Sequence, residues 1–195
     1  MTMSAAVSHG HSGAQTEEER RYRVRINRLG LWLFFFSDGL LFALFAAARF
    51  YIAGTSRPHV DQLLGLGITS LLLLSSLSAY RAETAFEHGN LRRGRTMILA
   101  TIVMGLLFLS GVAFEWAEAE FSRKEAYGTA FFSMTGMHAF HVATGVLFLA
   151  IVWVRSRGGR FLGGSAAWPV SAVVMYWHFV DVVWVFFYPA LYLVK

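Results

Sequence analysis

Five apolar stretches, each near twenty residues and joined by short polar links, constrain this chain more than any other feature. They run over 29–51, 63–80, 96–117, 128–154 and 168–194. A helix needs about 20 apolar residues to cross a hydrocarbon layer about 30 Å thick. Within lipid the backbone must satisfy its own polar groups, which leaves helices or closed barrels as spanning structures. Segments of this length predict an all-α integral membrane fold with five transmembrane helices. Composition agrees, since 56% of the 195 residues are hydrophobic and only 15% charged. The links, at 54–58, 87–95, 118–125 and 155–160, are short enough that neighbouring helices run antiparallel.

Orientation follows from the basic residues, which accumulate on the cytoplasmic side of short loops. With the N-terminus inside, the inner side holds Arg20, Arg21, Arg23, Arg25, Arg28, Arg81, Arg92, Arg93, Arg95, Arg155, Arg157 and Arg160. The outer side holds Arg49, Arg57, Arg123, Lys124 and Lys195, a split of 12 to 5 among 17. This predicts a cytoplasmic N-terminus and an outer C-terminus. The formal charge of +5 is a product of the same bias and of anionic lipid on the inner leaflet, so it gives no reason to expect nucleic acid. Residues 1–28 are polar and lack the apolar centre of a secretory signal, so they read as a cytoplasmic tail in which His9 and His11 are solvated.

There are no cysteines, which excludes disulfides, thiolate metal sites and covalent haem attachment. Any metal site would need His and carboxylates. Those residues do occur inside the apolar stretches: Asp38 in the first, His138 and His141 in the fourth, His178 and Asp181 in the fifth. An ionisable group at membrane depth is costly and needs a partner. His138 and His141 are three apart, as are His178 and Asp181, so each pair shares a helix face. At about 1.5 Å per residue, Asp38, His141, His178 and Asp181 fall in one central layer. A contact between Asp38 and His141 is expected, direct or through one water.

Three readings of this layer are open on the residues alone: a His-ligated metal or haem, a proton or quinone pathway, and an interhelical hydrogen-bond network in a non-catalytic subunit. Around it, Gly136 and Gly145 in the fourth stretch, and Ser75, Ser76 and Ser78 in the second, allow close helix approach. Pro189 is expected to bend the last helix near its outer end.

Two motifs carry a resemblance. One is Thr135, Gly136, His138, His141, Val142 and Gly145; the other runs Tyr176, Trp177, His178, Phe179, Val180, Asp181, Val182, Val183, Trp184. With Tyr127, Gly128, Phe131 and Phe132 before the first, Glu115 closing the third stretch and Ser37 beside Asp38, they resemble subunit III of the haem-copper respiratory oxidases. The likeness covers nearly all of the membrane part. It implies a five-helix form of a bundle whose larger members have seven helices, with a cleft that holds phospholipid. The carboxylate of such subunits is often Glu, and Asp38 resembles the quinol-oxidase and related bacterial forms.

The resemblance implies an accessory, non-redox subunit of a proton-pumping terminal oxidase in a bacterial cytoplasmic membrane. It would support proton uptake and the stability of the catalytic subunit through bound lipids. The expected partners are haem-copper oxidase subunit I and membrane phospholipids. No catalytic residue, metal or cofactor is expected in this chain, with haem and copper in the partner. Asp38, His138, His141, His178 and Asp181 would form an interior polar network, and Glu115, Gly136 and Gly145 would be structural. Trp177, Trp184, Arg81, Arg92 and Arg93 are the lipid-binding candidates. Two alternatives accompany this reading: an accessory protein of a nitric oxide reductase, and a stand-alone b-type cytochrome.

Overall fold

The computed structural model describes residues 17–54, 62–158, 161 and 167–194. His9, His11, Arg57, Arg160 and Lys195 lie outside the described residues. The described chain forms α1 (Glu17–Ala53), α2 (Gln62–Glu87), α3 (Leu91–Glu118), α4 (Ala126–Ser156) and α5 (Trp168–Tyr188), closed by a π turn over Pro189–Leu193. All five helices are long and apolar enough to cross a membrane, the last including the π turn. They make a multi-pass bundle.

Four of the helices form a ring: α2 packs on α3, α3 on α4, α4 on α5, and α5 back on α2. The first helix lies outside this ring, against α4 and α5. Its outward side is apolar, with Trp32, Leu33, Phe36, Leu40 and Leu44 all exposed. At 37 residues, α1 is longer than a bilayer requires. It begins inside the polar stretch rather than at residue 29. The sequence explains this local extension. Acidic residues open the helix, where the macrodipole favours negative charge, and Glu19 stands four before Arg23, one turn apart.

The turns between helices use specific chemistry. Gly89 takes a φ of +74° at the end of α2, a region open to glycine and costly for other residues. In the same turn Asn90 N–H donates to the Ala85 carbonyl at 2.8 Å. Asn90 then caps α3, its Oδ1 accepting from the Arg93 N–H at 3.1 Å.

Pro189 has a larger consequence than a bend. It supplies no N–H to the preceding turn, and the chain winds on as a π turn whose Val194 N–H reaches the Pro189 carbonyl at 3.1 Å. Three side chains then accept the task of satisfying the carbonyls within that turn. Arg49 Nε of α1 donates to Ala190 O at 3.2 Å, Tyr127 Oη of α4 to Leu191 O at 2.8 Å, and Gln62 Nε2 of α2 to Tyr192 O at 3.2 Å. The C-terminal turn thus ties together three helices that are distant in sequence.

Candidate functional site

The apolar runs of α1 and α4 would bury two ionisable groups at their contact, and they do so as a pair. Asp38 Oδ2 lies 3.2 Å from His141 Nε2, with both side chains almost fully enclosed. His141 Nδ1 is 2.8 Å from the Met137 carbonyl, one turn back on its own helix. A carbonyl can only accept, so Nδ1 carries a proton and donates to it. Nε2 is left to face the carboxylate, as a lone pair if the ring is neutral and as a donor if it is protonated. Phe42 of α1 packs edge-on against the His141 ring at a centroid distance of 4.9 Å. This aromatic cover keeps the pair in a low-dielectric setting, where each group depends on the other.

His178 and Asp181 form a second cluster, with a residue whose chemistry the sequence did not single out. Ser76 Oγ of α2 lies 2.8 Å from His178 Nδ1 and donates to Asp181 Oδ2. Asp181 is buried, whereas His178 is half-buried. Spacing put His178 and Asp181 on one face; the hydroxyl of Ser76 is what joins them.

His138 stands apart from both clusters. It is completely buried, its ring tilted 32° against that of Trp184 at 4.7 Å and edge-on to Phe108 at 5.6 Å. Neither ring nitrogen has a hydrogen-bond partner among the described residues. Among those residues no hydrogen bond or ion pair links His138, the Asp38–His141 pair and the Ser76–His178–Asp181 cluster to one another. The five residues expected in one network therefore occupy three separate places. Aromatic rings pack beside them, Phe42 against both His141 and Phe179, and Trp184 against His138. Among the described residues no three His, Asp or Glu side chains converge as a metal ion would require.

The two tryptophans sit deeper than a lipid contact allows. Trp177 and Trp184 are 1% and 0% exposed. Trp177 Nε1 donates to Ser75 Oγ at 2.9 Å and Trp184 Nε1 to Thr69 Oγ1 at 3.0 Å. Their N–H groups are engaged inside the ring of helices, where they fasten α5 to α2. The expectation that they meet lipid does not fit this placement, because a Trp side chain reaches a headgroup only from the surface. Arg81, Arg92 and Arg93 are exposed at the opposite end from the π turn.

The glycines divide as well. A β-carbon on Gly145 would lie 2.9 Å from the Trp177 ring, and one on Gly105 would lie 2.7 Å from it. Trp177 is thus clasped between α3 and α4. At Gly136 the nearest atom would be 3.4 Å away, an ordinary contact. Glu115 is buried and accepts a hydrogen bond from Tyr192 Oη at 2.6 Å.

Sequence reasoning counted Arg49 among the outer-side basic residues and gave it no further role, and the structure buries it completely. Its guanidinium donates to Ala190 O and, at 2.5 Å, to Gly54 O, and it lies 5.2 Å from the centre of the Tyr127 ring. The available signal was Pro189, since a proline near a helix end frees carbonyls that a forked donor can cap. Thr144 and Tyr176 were also unassigned. Their hydroxyls are 2.7 Å apart, and Tyr176 Oη donates to the His141 carbonyl at 3.3 Å, bracing the fourth helix beside the Asp38 contact.

The family model described as cytochrome c oxidase subunit III matches residues 14–195. A relative named cytochrome c oxidase subunit 3, from Alkalihalophilus pseudofirmus, is 32% identical over 177 residues, covering 85% of each chain. One of the same name from Thermostichus vulcanus is 29% identical over 196 residues, covering 96% of this chain and 92% of its own. The Xenopus laevis protein of that name is 37% identical over 130 residues, covering 64% of this chain and 47% of its own.

Proposed function

The chain belongs to the cytochrome c oxidase subunit III family, and from that premise we propose how it serves a haem-copper terminal oxidase as an accessory subunit. The complex reduces oxygen to water, and its redox centres reside in other subunits. This chain contributes a membrane body that packs against the catalytic subunit I and keeps it active under turnover.

The observation that carries this reading is how the buried polar groups are used. Asp38 meets His141, Ser76 joins His178 to Asp181, and Ser75 and Thr69 hold the indoles of Trp177 and Trp184. Each of these contacts joins two helices. Such contacts set helix register in membranes, where apolar surface gives no preference for helix over lipid. A rigid frame of this kind suits a supporting subunit.

The exposed Arg81, Arg92 and Arg93 support anionic phospholipid binding at the inner rim, where each basic residue near the surface contributes about 1 kcal/mol. The cleft expected for lipid would lie along α1, whose outward side is apolar and lacks a helix neighbour among the described residues. The domain division we propose is a polar N-terminal segment up to residue 28 and a five-helix membrane domain from residue 29 onward. The bias of basic residues supports a bacterial cytoplasmic membrane setting with the N-terminus inside.

No observation favours the nitric oxide reductase or b-type cytochrome alternatives. The reading is tested by affinity purification of the tagged chain from its native membrane in mild detergent. Mass spectrometry should identify a haem-copper oxidase catalytic subunit in equal amount. Recovery of a nitric oxide reductase core, or of the chain alone under conditions that keep other oxidases intact, would defeat it.

A further inference from the structure

Between α3 and α4, at the end of the bundle that holds the π turn, lies a small polar hollow that the supporting role leaves unused. It measures about 240 Å³ and is lined by Trp116, Arg123, Thr129, Phe132 and Ser133. Its floor is aromatic, with Trp116 edge-on to Phe132 at 5.6 Å. Trp116 turns its N–H inward to Thr135 Oγ1 at 3.0 Å, so it offers the hollow a ring and no donor. At the rim stands Arg123, its guanidinium carbon 5.0 Å from the centre of the Phe132 ring. The loop that carries it is fastened at two points. Thr129 Oγ1 donates to the Arg123 carbonyl at 2.8 Å, and the Ser122 N–H donates to Glu125 Oε1 at 2.9 Å.

Two donors at this hollow are uncommitted. Helix serines commonly turn the hydroxyl back onto their own backbone, as Ser70 does to Leu66 O at 2.8 Å and Ser110 to Leu106 O at 2.6 Å. Ser133 Oγ makes no hydrogen bond among the described residues, and the Arg123 guanidinium makes neither a hydrogen bond nor an ion pair among them. No carboxylate is among the lining residues, since Glu125 is turned to Ser122. A planar fork of N–H groups beside a hydroxyl matches an anion with several oxygens, and nothing here would hold a cation.

Position selects the source of that anion. Trp116 stands two residues before the end of α3, at the level where indoles meet headgroups. From Ser133, Gly136 and Phe140 follow at intervals of three and four on one face of α4, leading toward the middle of the membrane. Gly136 has no side chain to block that track, and Phe140 is 62% exposed. We infer that the hollow seats the phosphodiester of a phospholipid from the leaflet at the π-turn end. Arg123 pairs with the phosphate oxygens, Ser133 donates to one of them, and an acyl chain runs past Gly136 toward Phe140. This site lies at the opposite end of the bundle from Arg81, Arg92 and Arg93, and it requires no particular catalytic partner.

The test uses the intact complex, exchanged into dodecyl maltoside, and a phosphatidylglycerol with a diazirine in one acyl chain. It is compared with the diacylglycerol of the same chains, which keeps the tails and removes the phosphate. Labelled peptides are located by mass spectrometry. Phosphatidylglycerol should label 132–140 with half-saturation about tenfold lower than diacylglycerol, the value of one charge-assisted hydrogen bond. Arg123→Gln should remove that difference at 132–140 while labelling of the other helices stays unchanged, which also reports that the variant is folded. Ser133→Ala should narrow the difference by about threefold. Unlabelled phosphatidylglycerol should displace the probe, and soluble glycerol phosphate should not. Equal labelling by the two probes, or an undiminished difference in Arg123→Gln, would overturn the proposal. So would displacement by glycerol phosphate, which would make the ligand a soluble phosphate, or a segment 132–140 left unlabelled because a partner chain covers it.

Discussion

The ring of Trp177 occupies the place that a side chain on Gly145 would need, with a β-carbon there only 2.9 Å from the indole. The indole cannot swing clear, because Gly105 confines it from α3 and Ser75 holds its N–H. Gly145→Ala should therefore destabilise the subunit by about 1–3 kcal/mol, the usual range for overpacking. Gly136→Ala, with an ordinary 3.4 Å contact, should change stability by no more than about 0.5 kcal/mol. Thermal unfolding of the two variants in one detergent checks the contrast.

The Asp38–His141 pair should respond asymmetrically. Asp38→Ala leaves an imidazole whose Nδ1 the Met137 carbonyl still holds. His141→Ala leaves a buried carboxylate without its partner, a defect of about 3–5 kcal/mol in dry interiors. His141→Ala should thus lower the melting temperature more than Asp38→Ala, and the double variant should recover part of the loss. In either variant the haem spectra of the complex should be unchanged, while its lifetime under turnover shortens. Losses that simply add in the double variant would show that the pair is not coupled.

Arg49 is predicted to hold the C-terminal π turn. Arg49→Ala removes donors from the carbonyls of Ala190 and Gly54, at about 1–3 kcal/mol for buried acceptors left unsatisfied. Amide hydrogen exchange across 189–194 should accelerate roughly ten- to a hundredfold by that range. Arg49→Lys should recover only part of the protection, since an ammonium lacks the planar fork.

The tryptophans separate packing from lipid contact. Trp184→Phe should cost about 0.5–1.5 kcal/mol through the lost bond to Thr69. Trp184→Ala should cost about 3–5 kcal/mol through the cavity. Neither should alter phospholipid retained per complex if the indole is enclosed as observed, which quantitative lipid mass spectrometry measures.

Absence of cysteine makes the orientation directly testable. His88→Cys, in the exposed α2–α3 turn, should react with an impermeant maleimide only from the cytoplasmic side. Glu120→Cys, between α3 and α4, should react only from outside. The reverse pattern would invert the bundle.

The helices were legible because length and hydropathy decide what can cross a bilayer, and the Asp38–His141 contact because two ionisable groups at one depth must pair. Ser76 and Arg49 were not, for different reasons. A serine in an apolar helix reads as a small packing residue, and only the angular position of α2 against α5 reveals that its hydroxyl bridges His178 and Asp181. The role of Arg49 was hidden because spacing gives depth but not rotation, and rotation turns it inward to the carbonyls of the π turn. For His138, spacing three from His141 suggested a shared face, but its ring turns to Trp184 and Phe108 instead.

As a supporting subunit of a haem-copper oxidase, this chain should carry none of the complex's haem. The most direct test is a dithionite-reduced minus oxidised spectrum of the intact complex and of this subunit after separation, each with haem counted per polypeptide. All haem should remain with the catalytic partner, and the separated chain should show no Soret band. A stoichiometric Soret band on the separated chain would contradict it.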